Sequence, residues 1–280
     1  MTDADVPAAQ ELMVATFADL ARRTHEPEPP QPDHDPGPGY VRLRRVLESD
    51  PGGCWVCDDG DGELTGAGLA ILREGVWGLS LLVVRPGRQS AGLGSELLSR
   101  TLAYGDGARG GIILASLDPR ALRAYARAGF ALHPTVSASG VPRGVAAAPE
   151  VRPFTRADHE LAAAVDRAVR GAAHGADLDA MAAGGCELLT FPERGYAVHR
   201  AGEVKALAAF DAQAAAALLR TVLARVPESG KAQVDWLTGS QQWAIDVAVA
   251  ARLELRAGGA VMLRGDAGPF HPYLPSGAYL

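Results

Sequence analysis

Between Val83 and Leu98 the sequence reads VVRPGRQSAGLGSELL. It opens as a β-branched run and closes on helix formers, with a basic, glycine-punctuated loop between them. A helix N-terminus presents unpaired N–H groups and the positive end of the macrodipole. Glycines just ahead of it let an anion reach the backbone without meeting Cβ atoms. The amides of Gln89, Ser90, Ala91, Gly92, Leu93, Gly94 and Ser95 therefore read as a phosphate cradle. A P-loop would need Lys after its last glycine, and Ser95 follows Gly94. A dinucleotide fingerprint needs three glycines, and GLGSEL supplies two. The pattern Gln/Arg-x-x-Gly-x-Gly/Ala after an antiparallel strand is met in full from Gln89 to Gly94. Arg85 and Arg88 could add charge, although a solvated surface position is the plainer reading of each.

Other residues with chemical potential are less organised. Cys54 and Cys57 form C-x-x-C, but in a strand-like run, where positions i and i+3 point to opposite faces. With Cys186 they make three cysteines, an odd count that disfavours a disulfide framework. Buried or half-buried thiols are the simpler expectation. The seven histidines show neither H-x-H nor H-x-x-x-H spacing, so no metal site is expected.

The elements that would carry these residues can be read from periodicity. Residues 5–23 are helical through Leu12, Val14, Phe17 and Leu20. Residues 24–39 hold six prolines and cannot be helix or central strand. They read as a solvated loop or as a lid over a site. A short helix follows near 39–48, then strands at 54–58, 64–73 and 76–84, the first two joined by a DGDG hairpin signal. A helix at 92–105, a buried strand at 111–116, a helix at 119–128 and a strand at 130–138 complete a mixed α/β layer. Pro142, Gly144 and AAAPE at 146–150 mark a linker.

The order then recurs: a strand at 150–155, a helix at 156–170, and strands at 187–191, 195–200 and 203–210. A helix at 211–226, a strand at 232–237, a helix at 240–252 and strands over 253–264 follow. Leu97-Leu98 aligns with Leu218-Leu219, IILAS with VDWLT, and YARAGFAL with AVAARLEL. Two tandem copies of one α/β (α+β, mixed-sheet) fold are expected, residues 1–143 and 144–280. The first copy is read as lacking its opening strand.

Composition sets outer bounds. Of 280 residues 48% are hydrophobic, enough for a sizeable core. The net charge of −6 comes with no basic stripe, which argues against a nucleic-acid partner. No apolar run approaches bilayer-spanning length, and the acidic N-terminus lacks a secretion pattern. The expectation is a cytoplasmic monomer or homodimer with no membrane partner.

Two blocks together resemble the GNAT superfamily of acyl-CoA-dependent N-acyltransferases. LLVVRPGRQSAGLGSELL is similar to that family's strand, phosphate loop and helix. DPRALRAYARAGFAL (118–132) is similar to its N-x-x-A-x-x-x-Y-x-x-x-G-F helix, matching at Ala121, Tyr125, Gly129 and Phe130. Asp118 stands in place of the usual Asn, and its position before Pro119 suits an N-cap. The resemblance covers about 40–138 well, and 150–264 only through the repeat. A tandem two-domain organisation like that of mycothiol synthase is implied, as two GNAT-like domains with the second degenerate.

The resemblance implies acetyl-CoA as cosubstrate, without a metal, and a small-molecule or peptide amine as acceptor. The backbone of Leu82, Val83 and Val84 would pair with the pantetheine arm along a splayed strand edge. Gln89 to Ser95 would hold the pyrophosphate. Tyr125 would act as general acid, since a phenol of pKa ~10 can protonate a thiolate whose conjugate acid lies near ~8.5. Glu74, Ser80, Ser116 and the Leu280 carboxylate are candidate bases. In the second copy FDAQAAAALL (210–219) keeps no glycine, Asp211 brings negative charge, and Ala248 replaces Tyr125. That copy is expected to bind no acyl-CoA. A CoA-binding sensor and a partner-docking pseudoenzyme are the alternative classes.

Overall fold

A computed structural model describes residues 1–24 and 38–280. Helices α1 (Val6–Thr24) and α2 (Pro38–Ser49) lead into an antiparallel meander, β1 (Cys54–Asp58), β2 (Leu64–Arg73) and β3 (Val76–Val84). Then come α3 (Leu93–Tyr104), β4 (Gly110–Ala115), α4 (Pro119–Arg127) and β5 (Ala131–Gly140). The second copy has β6 (Arg152–Pro153), α5 (His159–Val169), α6 (Ala176–Ala183), β7 (Glu187–Phe191), β8 (Gly195–Arg200) and β9 (Glu203–Ala209). It continues through α7 (Ala212–Ala224), β10 (Ala232–Leu237), α8 (Gln242–Ala250), β11 (Glu254–Gly265) and β12 (Tyr273–Leu274). The 24–39 lid expectation falls almost wholly outside the described residues. Among the described residues, no helix is long and apolar enough to cross a membrane.

The repeat shows in local chemistry. Thr2 caps a short 3-10 turn, its amide and hydroxyl held by Asp5 at 2.7 and 2.9 Å. Thr155 and Asp158 repeat this capping box at 2.7 and 2.8 Å, just ahead of α5. The sequences TDADV and TRADH carry the same signal. The expected helix over 156–170 therefore starts as this 3-10 turn, with α5 beginning at His159. The expected opening strand at 150–155 shrinks to Arg152–Pro153, where proline ends the donor ladder.

All strands join one sheet in the order β1-β2-β3-β4-β11-β5-β10-β9-β8-β7-β6, with β12 beside β9. The copies exchange strands across its centre. β11 of the second copy lies between β4 and β5 of the first, and β5 lies between β11 and β10. Gly259 permits this, because a Cβ there would stand 1.8 Å from the Ala115 carbonyl oxygen. One core, under α1, α2 and α5, spans both copies and includes Val6, Leu43, Leu81, Val165, Tyr196 and Val261. On the sheet's other face Trp77, Leu98, Tyr125 and Phe130 pack beneath α3 and α4. A separate cluster lies under α7 and α8.

Candidate active site

β3 begins as a paired strand and ends as an open edge. Val76–Leu79 pair in parallel with Gly110–Ile113 of β4, and the ladder then stops. The register against β2 slips at the same point, from Leu79↔Ala70 to Leu81↔Leu69, so Ser80 is an extra bulged residue. A bulge bends and twists its strand, which carries Leu82–Val84 away from β4. Those backbone groups lack a strand partner on that side among the described residues. Val84 is partly served: its carbonyl accepts from the Gln89 side-chain amide at 3.0 Å.

The loop that follows turns through left-handed backbone at Gly87, Ser90 and Gly92, with φ of +86°, +68° and +90°. Gly92 is the N-cap of α3 and supplies no side chain to cap it. Its carbonyl accepts from Ser95 and Glu96 at 3.0 and 3.1 Å. Among the described residues, the amides of Gln89 to Gly94 donate to no backbone carbonyl. The Ser95 amide, expected in the cradle, instead begins the helix ladder. Orphan donors at a helix start, without a capping side chain, form an anion site.

Arg85 and Arg88 turn elsewhere. The Arg85 guanidinium holds the Leu64 carbonyl at 2.9 Å through Nε and pairs with Glu63 at 2.6 Å. Arg88 faces Asp59 at 3.8 Å. Both charges therefore answer the acidic β1–β2 hairpin rather than the loop's own amides.

A cavity of about 660 Å³ runs between this edge, the loop and α4. Leu82, Val83, Val84, Gln89, Ser90, Gly92, Gly94, Ser95 and Tyr125 all line it. Ala91 and Leu93 do not, so any part they play rests on their amides. Residues of α1 close one wall, Thr16, Phe17, Leu20 and Arg23, which the sequence reading had not assigned to the site. In the sequence Phe17 looked like one more member of the helix's apolar stripe; only its 38% exposure beside the cavity sets it apart.

Tyr125 is 5% exposed, and among the described residues its hydroxyl makes no hydrogen bond. Burial pushes its pKa well above the ordinary phenol value, and the Asp118 charge adds to this. The group is a neutral O–H donor facing the cavity. Asp118 caps α4 by accepting from the Arg120 amide at 2.9 Å. Its carboxylate also takes the Arg120 guanidinium at 2.7 and 3.0 Å and Arg23 at 3.5 Å. Those bonds, Arg120 first, hold its pKa down to about 2. It remains a carboxylate committed to capping, and unsuited to taking a proton.

Of the four candidate bases only Ser116 lines the cavity. Glu74 sits at the β2–β3 turn and binds Arg167 at 2.7 Å and the Ala173 amide at 3.0 Å. Arg167 lowers its pKa, so it too stays ionised and engaged. Ser80 donates to the Ala278 carbonyl at 2.8 Å. The Leu280 carbonyl accepts from Tyr273 at 2.7 Å and faces His174 Nε2 at 3.0 Å. His174 in turn meets Asp166 at 2.9 Å, in a fully buried pair. These groups brace the last residues of the sequence. Cys54 is a buried thiol, pushed up to about 12 chiefly by burial.

The equivalent cleft of the second copy is filled by the chain itself. β9 and β10 pair only at Glu203↔Gln233 and then part. Into the gap comes β12, with Tyr273 against Ala208 and Leu274 against Leu207. At the start of α7 the Asp211 carboxylate accepts from the Ala214 amide at 2.9 Å and pairs with Arg194. The Arg194 bond keeps its pKa below the usual carboxylate range. Ala248 is the seventh residue of α8, as Tyr125 is of α4.

Residues 15–130 match the family model for the acetyltransferase (GNAT) family. Among solved structures, a candidate acetyltransferase from Pyrococcus horikoshii shares 17% identity, with a TM-score of 0.77 over 100% of this chain and 93% of that one. A GCN5-related N-acetyltransferase from Sphaerobacter thermophilus is similar at 13% identity and TM-score 0.57, over 95% and 94%. A tandem GNAT protein from the clavulanic acid biosynthesis pathway is similar at 16% and 0.55, over 96% and 98%. These likenesses establish the fold. No curated protein matches the sequence.

Proposed function

From the match of residues 15–130 to the acetyltransferase (GNAT) family model and the fold shared with a tandem GNAT protein, we propose that this chain is a tandem GNAT enzyme that transfers acetyl from acetyl-CoA to a primary amine by direct attack. The first copy, residues 1–143 completed by β11, is the active one, and residues 144–280 are a degenerate repeat. One observation carries the reading. The open β3 edge, the orphan loop amides and the buried Tyr125 face a single cavity. Acetyl-CoA supplies an acetyl group activated as a thioester.

The residues present suit such a carrier. The edge at Leu82–Val84 offers the pantetheine amides the pairing that β4 withholds. Its N–H groups would stabilise negative charge developing on the thioester oxygen. The amides of Gln89 to Gly94 hold the diphosphate, with the α3 dipole behind them. As the C–N bond forms and the C–S bond breaks, Tyr125 gives its proton to the departing sulfur, and the proton shed by the acetylated nitrogen, passed through solvent, restores the phenol. Phe17, Leu20 and Thr16 form the wall past which the amine approaches.

The test is release of free thiol from acetyl-CoA with a panel of primary amines. Amine-dependent release is the expected result. Tight CoA binding without release on any amine would make the protein a sensor.

A further inference from the structure

Four arginines line the cavity, Arg23, Arg120, Arg123 and Arg127. The first two are engaged by Asp118. Arg123 and Arg127 stand one turn apart on α4, both exposed. Among the described residues neither has an acidic partner. Like charges at i and i+4 repel, so the pair is unfavourable without an anion. The helix dipole accounts for Arg127 in the last turn of α4, but not for Arg123 at its middle.

Their neighbours shape a trough. The other cavity-lining residues of α4 include Ala121 and Ala124, and Ala128 follows at its C-cap. Across from them α3 contributes Ser95 and Ser99. These small residues leave room for a long ligand beside Leu98, Leu102 and Tyr125, and the arginines stand on the α4 wall. The loop amides answer for one diphosphate. Coenzyme A carries a further phosphate monoester on its ribose, about doubly ionised near neutral pH.

We infer that Arg123 and Arg127 bind the ribose 3′-phosphate of the acyl carrier and make the enzyme select coenzyme A over carriers without that group. Resting on the acyl-CoA reading above, it adds which part of the carrier is recognised. Guanidinium forks match phosphate oxygens in geometry as well as charge. A 3′-dephosphorylated coenzyme and a protein-borne phosphopantetheine both lack the recognised group.

Calorimetric titration of the full chain with CoA and with 3′-dephospho-CoA tests this, repeated on the Arg123→Gln/Arg127→Gln variant. The wild type should favour CoA by about tenfold or more, less so as salt is raised. In the variant that ratio should fall close to one, with dephospho-CoA affinity held, which also reports an intact fold. A wild-type ratio near one, or a ratio unmoved by the substitutions, would overturn the inference alone. Parallel loss of dephospho-CoA binding would overturn it too, because the arginines would then act on a part both ligands share. Binding of neither nucleotide would remove the acyl-CoA reading itself, and this inference with it.

Discussion

Tyr125 puts the proposed chemistry on one hydroxyl, and its surroundings fix what that hydroxyl can do. Burial raises its pKa, so the acid form persists through the neutral and alkaline range. Tyr125→Phe should lower kcat by about 10²-fold while leaving CoA affinity unchanged, measured by steady-state kinetics and calorimetry. The sign for pH follows: a raised pKa keeps the proton on, so the wild-type rate should show no loss from this group below about pH 10. An alkaline limb near neutrality that vanishes in Tyr125→Phe would contradict the assignment. Residues of this kind were legible in the sequence because a helix fixes them locally. Seven residues after Asp118, Tyr125 must return to the face that Ala121 occupies. The partners of Glu74 were not legible, since Arg167 and Ala173 come from the other copy.

At the scale of elements, the strand, loop and helix from β3 to α3 form one device. The Ser80 bulge opens the edge, and Gly92 turns the chain so that free amides begin the helix. A Cβ at Gly92 meets nothing within 4 Å, yet φ of +90° suits glycine. Gly92→Glu should therefore fold with a modest loss, about 1–2 kcal/mol from the backbone, while its charge repels the diphosphate. CoA affinity should fall by about 10²-fold or more, with Tm lowered only slightly. Undiminished affinity would place the diphosphate elsewhere. Apart from the overextended run at 150–155, the strands were legible from their apolar runs and turn signals, and the loop from its glycines. Two elements escaped. α6 is a short alanine-rich helix without strong periodicity, and β12 is two residues whose pairing exists only through β9. Neither carries a local signal strong enough to compete with its surroundings.

For the whole molecule, strand exchange ties the halves into one folding unit. Residues 1–143 alone would leave β4 and β5 facing a gap where β11 belongs, with two unpaired ladders. That fragment is expected to aggregate or stay unfolded by circular dichroism, and co-expression with 144–280 should restore soluble material. A monomeric, cooperatively melting 1–143 would show the exchange to be dispensable. Sequence order gave no hint of this arrangement, because a linear repeat looks the same whether each copy closes on itself or on its twin. The alignment of IILAS with VDWLT found the pseudo-symmetry, and pairing across the sheet's centre decided the rest.

A tethered occupant never leaves. Tyr273 and Leu274 take the edge of β9 that a pantetheine arm would use, and Asp211 caps the helix start, through the Ala214 amide, where a diphosphate would sit. Any free molecule competing for that groove must outbid a rival joined to it by a short stretch of backbone, at an effective concentration far above cellular metabolites. The duplicated half thus carries, from its own backbone, the kind of strand pairing that the proposed carrier would make in the first copy.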